Sequence, residues 1–97
     1  MRVSIAAEAE SELVEGARFY AQQSSAELGF AFIAEFERSI ELLRSQPKLG
    51  APWRANTRRM PLRRFPYSVI YVAFPEEVRV LAIAHQRRKP GYWSGRH

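Results

Sequence analysis

The sequence predicts an α+β fold in the order β-α-α-β-β-β, with a helix hairpin packed on one face of a mainly antiparallel four-stranded sheet. Apolar residues of the first half recur mostly at helical spacing, after a short N-terminal strand. Those of the second half fall into three runs of strand length. The 97 residues also have the length of one domain, so we expect a single domain over residues 1–97.

The first half of the chain contains the predicted N-terminal strand and both helices. Apolar and polar residues alternate over residues 1–5, which is typical of a strand with one buried face. An apolar stripe of helical period then spans about residues 8–23, and a second stripe runs from Leu28 to Leu43. Ser24 and Glu27 fit a capping box at the start of the second helix. Two helices joined by so few residues predict an antiparallel hairpin.

The second half contains a linker and three predicted strands. Pro47 ends the second helix, and the linker over residues 46–56 contains two prolines and a glycine, so we expect it to be irregular. The strand candidates are residues 58–65, 67–74 and 78–85. The last two are apolar at nearly every position, which predicts a central hairpin beneath the helices.

Charge is distributed unevenly along the chain. Residues 1–47 contain four arginines and eight glutamates, a net charge of −4, whereas residues 48–97 contain nine arginines, two lysines and two glutamates, a net charge of +9. Thirteen of the fifteen cations are arginine, which favours planar, bidentate contacts with phosphate or carboxylate. The basic half therefore indicates an anionic partner, either nucleic acid or an acidic protein segment; a solvated surface is the alternative.

The composition excludes several classes of function. The chain has no cysteine, no aspartate, no histidine pair at metal spacing, no glycine-rich phosphate loop and no G-x-S-x-G motif. We therefore expect no metal, no cofactor and no nucleophile-based hydrolysis. No apolar run approaches the roughly 20 residues of a membrane span, and residues 1–9 lack the apolar core of a secretory signal. A soluble, cytoplasmic protein without a membrane partner is the expectation.

The candidate functional residues are cations and aromatics around the second and fourth predicted strands. They are Arg58, Arg59, Arg63, Arg64, His85, Arg87, Arg88, Lys89, Tyr92 and Trp93. If the last three strands are consecutive neighbours, the two clusters flank the third strand and form one concave patch. Such a patch suits RNA, because arginine holds phosphate and aromatic rings stack on unpaired bases. Alternatively, Pro90 and Gly91 simply turn the chain so that Tyr92 and Trp93 pack back on the sheet.

The same patch can, in principle, cleave RNA. Cleavage needs a group that activates the 2′-hydroxyl, cations that stabilise the transition state, and a proton donor for the leaving oxygen. His85 and Tyr92 can exchange protons, and Arg87 or Arg88 can stabilise a phosphorane. However, His85 is the only internal histidine, and a lone histidine at a strand end is more often structural.

Five motifs along the chain occur together in a known family. They are A-E-x-E-L-x-E-x-A-x-x-Y at residues 9–20, L-G-x-x-F at 28–32, P-x-x-G at 47–50, F-P-Y-S-V-I-Y at 65–71 and V-R-V-L-A-I-A-H-Q-R-R-K-P-G-Y-W at 78–93. In this order they resemble the ParE branch of the RelE/ParE superfamily, the toxins of bacterial type II toxin–antitoxin systems, also called plasmid stabilisation proteins. The resemblance implies the same fold and a cognate antitoxin whose C-terminal segment wraps the toxin, commonly in a higher-order complex.

Ser68 bears on which branch of the superfamily the chain resembles. RelE-like toxins cut mRNA in the ribosomal A site with arginines, lysines and a C-terminal tyrosine, whereas ParE-like toxins lack that set and poison DNA gyrase. The RelE-like pattern has an arginine where this chain has Ser68, within Y-S-V-I-Y. A serine cannot supply a fixed cation. The lysines expected before this strand are also absent, since Lys48 and Lys89 are the only two.

The resemblance therefore implies a gyrase-directed toxin without catalytic turnover of its own. In this interpretation His85 is structural, and the residues that contact the target or the antitoxin are Arg63, Arg64, Arg87, Arg88, Lys89, Tyr92 and Trp93. The alternative is a RelE-like, ribosome-dependent and metal-independent mRNA endonuclease acting through Arg58, Arg88, Tyr92 and His85. It stays open because Arg88 and Tyr92 match the RelE-like pattern in part and because Arg58 and Arg59 can substitute for the missing lysines. A third possibility is a degenerate member that only binds an antitoxin or DNA.

Overall fold

The computed structural model describes all 97 residues, as two helices on one face of a five-stranded mixed sheet. The elements are β1 (Arg2–Ile5), α1 (Ala7–Gln23), α2 (Ala26–Ser45), β2 (Ala51–Pro52), β3 (Arg58–Pro61), β4 (Tyr67–Ala73) and β5 (Glu77–His85). A short 3-10 turn, Arg54–Asn56, connects β2 to β3. The strands lie in the order β1-β5-β4-β3-β2. Neither helix combines the length and the apolar character that a bilayer crossing requires.

The sheet corrects the prediction of four mainly antiparallel strands. The linker contributes a fifth strand, β2, in which Ala51 pairs with Arg59 and Pro52 with Arg58. β5 runs parallel to β1, whereas the other strand pairs are antiparallel, so the sheet is mixed. The helix hairpin and the neighbouring order β3-β4-β5 are confirmed, with β4 in the middle.

Two predicted boundaries differ from the structure. Ser25, not Ser24, is the N-cap of α2, and its hydroxyl accepts from the Leu28 N–H at 3.2 Å. The strand predicted over residues 58–65 ends at Pro61, because the chain then turns through Arg64 at a φ of 72°. Pro66 follows the turn and has no N–H for a strand ladder.

The main core lies between the helix hairpin and the sheet. Its largest fully buried members include Phe32 and Leu43 of α2 and Tyr71 of β4. Burying an apolar side chain of this size contributes roughly 1.5–3 kcal/mol. The helices approach closely because Gly16 of α1 has no side chain, and a Cβ at this position would lie 2.6 Å from the Phe32 ring.

A smaller core covers the opposite face of the sheet. Trp93 packs there against Ile70, Leu81, Ala82 and Ala84, and only 3% of its surface is exposed. Leu81 is the extra residue of a β-bulge, since Ile70 pairs with Ala82 and the next residue of β4 pairs with Val80. The C-terminal segment, residues 86–97, therefore folds back over the sheet.

Candidate functional site

A recess on the sheet face opposite the helices brings several of the predicted site residues together. Its volume is about 230 Å³, and we call it the basic cleft. Strand residues form its floor, and arginine, histidine and aromatic side chains surround it. The lining residues are Trp53, Arg59, Ser68, Ile70, Ala84, His85, Gln86, Arg88, Pro90, Tyr92 and Trp93.

The alternation of side chains along β3 decides which arginine reaches the basic cleft. Arg58 pairs with Tyr71, which faces the helices, whereas Arg59 pairs with Ile70, which faces away from them. The Arg58 guanidinium donates to the Gly50 carbonyl at 2.7 Å and so holds the loop before β2. Arg59, not the Arg58 predicted for a ribonuclease site, therefore lines the cleft.

Trp53 is a cleft residue that the sequence analysis did not single out. The residue is 38% exposed, and the guanidinium groups of Arg59 and Arg54 lie 5.1 and 5.8 Å from the centroid of its ring. Cation–π contacts at exposed sites contribute about 0.5–1 kcal/mol each. The available signal was a tryptophan directly beside an arginine within the basic linker.

Tyr92 is held between two arginines and the first helix. Its hydroxyl donates to a carboxylate oxygen of Glu12 at 2.6 Å. The guanidinium groups of Arg88 and Arg96 lie 3.9 and 5.0 Å from the ring centroid. Burial, together with the bond to the Glu12 carboxylate, raises the pKa of the Tyr92 hydroxyl well above its ordinary value. The phenol therefore holds its proton more tightly than a free tyrosine does and directs it to Glu12.

Glu12 also accepts a hydrogen bond from the part of β5 that has no neighbouring strand on one side. Besides Tyr92, its carboxylate accepts from the Ile83 N–H at 3.0 Å and from the Arg96 guanidinium at 2.9 Å. Arg96 in turn donates to the Leu81 carbonyl at 3.0 Å. These contacts replace a strand partner, because the pairing with β1 stops at Val80.

Glu12 was not among the residues that the sequence predicted for the site. Glu12 lies three residues after Ala9 and four before Gly16, and both of these are buried on α1. A glutamate at that spacing falls on the buried face of the helix. An acid on a buried face requires a cationic or hydrogen-bonding partner, and this was the signal available in the sequence.

His85 is anchored at the edge of the basic cleft. Its Nδ1 accepts from the Arg87 N–H at 3.0 Å. Its ring meets the Tyr67 ring edge-on, with 4.9 Å between centroids. No hydrogen bond joins His85 to Tyr92.

The remaining predicted site residues lie outside the cleft or are not accessible within it. Arg63 and Arg64 belong to the turn between β3 and β4, where the Arg63 N–H donates to Glu35 at 2.7 Å. Arg87 and Lys89 are exposed on the C-terminal segment beside the cleft. Trp93 lies beneath the cleft, buried as the alternative packing interpretation expected.

The basic half of the chain has few carboxylate partners. The four ion pairs of the structure are Arg2–Glu77, Arg38–Glu35, Arg44–Glu41 and Arg96–Glu12. Of their arginines, only Arg96 comes from residues 48–97. The arginines of the basic cleft are therefore not neutralised within the protein, and their positive potential extends into solvent.

Comparisons with known proteins agree with this architecture. The chain matches the family described as "ParE toxin of type II toxin-antitoxin system, parDE" over residues 3–90. It is similar in structure to a chain of the chromosomal ParDE TA system from P. aeruginosa, with a TM-score of 0.77 and 18% sequence identity, over 88% of this chain and 95% of that chain. At this identity the structural likeness concerns the fold. No curated protein sequence matches the chain.

The family match extends into both helices and all five strands. It also includes Tyr67 to Tyr71 and Arg88, which lie within the motifs of the resemblance to ParE-like toxins, and Arg59 of the basic cleft. The chain belongs to the ParE toxin family of type II toxin–antitoxin systems.

Proposed function

We propose that this toxin inhibits DNA gyrase and that a cognate antitoxin neutralises it. The observation that carries the proposal, together with family membership, is the hydrogen bonding of the two groups that RNA cleavage would use for proton transfer. The Tyr92 hydroxyl donates to Glu12, and Nδ1 of His85 accepts a backbone N–H. Ser68 occupies the position of the RelE-like arginine, at the buried floor of the cleft. This arrangement supports a toxin that binds its target rather than one that cuts RNA.

The experiment is gyrase-catalysed supercoiling of relaxed plasmid with ATP, with and without the full-length toxin. We expect supercoiling to be lost and linear DNA to appear after denaturation and protease treatment, because a poison traps the cleaved intermediate. Relaxation of the same plasmid by a type I topoisomerase is the control, since non-specific coating of DNA would slow both enzymes. Unchanged supercoiling by a toxin shown to be folded would overturn the proposal.

One observation favours the RelE-like endonuclease as a second candidate. The basic cleft does bring together His85, Arg88 and Tyr92, three of the four residues assigned to that activity, with Arg59 in the place of Arg58. A translating extract with a labelled mRNA tests it. Cuts that require the ribosome and disappear in Arg88→Ala would establish this activity, whereas intact mRNA would exclude it.

The antitoxin is the partner that family membership implies. A groove of about 330 Å³ runs between α1 and α2, and it is lined mainly by apolar residues: Val14, Ala17, Arg18, Ala21, Ala26, Gly29, Phe30 and Ile33. Phe30 is 70% exposed there, and exposed apolar patches of this kind mark interaction sites. We propose that an antitoxin helix docks in this groove, while an acidic segment is attracted to the basic half and speeds association.

Rescue of growth by the protein encoded next to the toxin tests this site. We expect Phe30→Glu to reduce rescue and to weaken the purified complex, because a charge would enter an apolar contact. Phe74→Glu is the matched control, since Phe74 is 50% exposed at the β4–β5 turn, outside this groove. Equal rescue of both variants would show that the antitoxin binds elsewhere.

A further inference from the structure

We infer that the basic cleft binds a single nucleic-acid strand without cutting it, with Arg59 and Arg88 on its phosphates and a base stacked at Trp53. The observation is the placement of two guanidinium groups without acidic partners and one exposed indole around a single recess. This inference concerns a ligand that the toxin itself touches. It goes beyond the proposed function and holds whether or not gyrase is the target.

The arginines of the cleft lie against aromatic rings and have unused donors. Arg59 and Arg88 make no side-chain hydrogen bond within the protein and belong to none of its ion pairs. Aromatic rings orient them instead, since Arg59 lies 5.1 Å from the Trp53 centroid and Arg88 lies 3.9 Å from that of Tyr92. A guanidinium held by its face keeps its N–H groups directed outward, and those groups bind phosphate in bidentate geometry.

Trp53 adds a contact with a base, which binding of the phosphates alone would not require. The residue is 38% exposed at the cleft, whereas Trp93 is buried and Tyr92 is only partly exposed, with its hydroxyl bonded to Glu12. Stacking of a base on an aromatic ring depends little on sequence, because every base has a π-face. The indole and the guanidinium planes together form a surface that accepts an unpaired base.

The size and the chemistry of the cleft favour a strand that is bound but not cleaved. About 230 Å³ is less than the roughly 300–1,000 Å³ of ordinary ligand pockets, so the cleft accommodates part of a strand rather than a whole small ligand. A duplex hides the faces of its bases, which an indole must reach. The Tyr92 hydroxyl is bonded to Glu12, so no free phenol is available to protonate a leaving oxygen.

Fluorescence anisotropy of labelled oligo-dT and oligo-rU, each about 12 nucleotides long, tests the inference with the full-length toxin made by cell-free synthesis. We expect binding that weakens as salt rises, with the slope of log K against log salt reduced by about 0.7 in Arg59→Gln and in Arg88→Gln. Trp53→Leu should weaken binding about fivefold or more. Both oligonucleotides should stay intact.

The controls separate the cleft from general charge. Arg18→Gln removes the same charge from the exposed surface of α1, and Phe74→Leu removes an exposed aromatic elsewhere. Binding of either oligonucleotide that depends on Arg59 and Arg88 but not on Arg18 supports the inference, and the tighter one identifies the preferred sugar. Absence of binding at low salt, an equal effect of Arg18→Gln, or cleavage of either strand would overturn it. None of these outcomes depends on gyrase, so the two proposals fail separately.

Discussion

The hydroxyl of Tyr92 donates to the carboxylate of Glu12 at 2.6 Å, across 80 positions of sequence. The same carboxylate pairs with Arg96 at 2.9 Å, and these two side chains are only 13% and 17% exposed. Arg88 lies on the ring of Tyr92. The position of a cleft arginine therefore depends on a residue of α1, and the C-terminal segment depends on the same contact.

Replacement of Glu12 by alanine should destabilise the protein. We expect the free energy of unfolding to fall by about 3 kcal/mol, because Arg96 and the Ile83 N–H lose their partner in a largely buried site. Urea denaturation measures the change. Glu37→Ala, at an exposed position of α2, should stay within about 0.5 kcal/mol of the wild type. Similar losses in both variants would contradict the assigned role of Glu12.

Substitutions of Trp93 should separate the contribution of its buried volume to stability from the contribution of its indole N–H. Trp93→Ala should cost about 3–5 kcal/mol of unfolding free energy, since it empties the core on the second face. Trp93→Phe should cost clearly less than Trp93→Ala, because it keeps most of the buried aromatic volume. The buried indole N–H has no hydrogen-bond partner. Trp93→Phe therefore breaks no hydrogen bond and removes an unsatisfied donor. Thermal or urea unfolding of the two variants checks the difference, and a Phe variant as unstable as the Ala variant would contradict it.

The hydroxyl of Tyr71 should be important for stability although the residue lies in an apolar core. It donates to the Pro47 carbonyl at 2.8 Å and accepts from the Gly50 N–H at 2.9 Å. Tyr71→Phe leaves both backbone groups unpaired, and we expect a loss of about 1–3 kcal/mol in unfolding free energy. Tyr67→Phe is the control on the same strand, because the Tyr67 hydroxyl makes no hydrogen bond. Comparable costs for the two substitutions would refute this prediction.

Glu35 should make stability depend on pH in the acid range. The hydrogen bond from Arg38, assisted by the Arg63 N–H, lowers the pKa of Glu35 below its ordinary value of 4.5. A lowered pKa stabilises the fold at pH values above 4.5, and this stabilisation is lost as pH falls through the folded-state pKa. The difference in unfolding free energy between the wild type and Glu35→Gln should therefore be complete at pH 7 and should shrink below pH 4.

Urea unfolding at several pH values measures the Glu35 effect. Arg38→Gln removes the largest cause of the lowered pKa, so the same acid-dependent difference should be smaller in that background. A difference between the wild type and Glu35→Gln that stays constant from pH 7 to acid would show that this carboxylate does not have the lowered pKa.

Two glutamates show that the structure depends on contacts between residues that lie far apart in the sequence. Neither Glu12 nor Glu35 was among the predicted site residues, yet Glu12 binds the C-terminal segment and Glu35 binds the turn before β4. Helical spacing placed both near buried positions. Their partners lie far along the chain, and periodicity within a helix contains no information about them.

The sequence by itself determined the local features: the helix hairpin, the two central apolar strands, the excess of arginine in the second half and the motifs of the ParE family. These depend on neighbouring residues, whose periods of 3.6 and 2 can be read directly. Only the tertiary structure decided that β2 joins the sheet and that β5 runs parallel to β1, that Arg59 rather than Arg58 enters the cleft, and that Trp93 is buried. The choice of Arg59 depends on strand register, because a shift of one residue would turn every side chain of the strand to the other face of the sheet. The burial of Trp93 depends on the return of the C-terminal segment over the sheet.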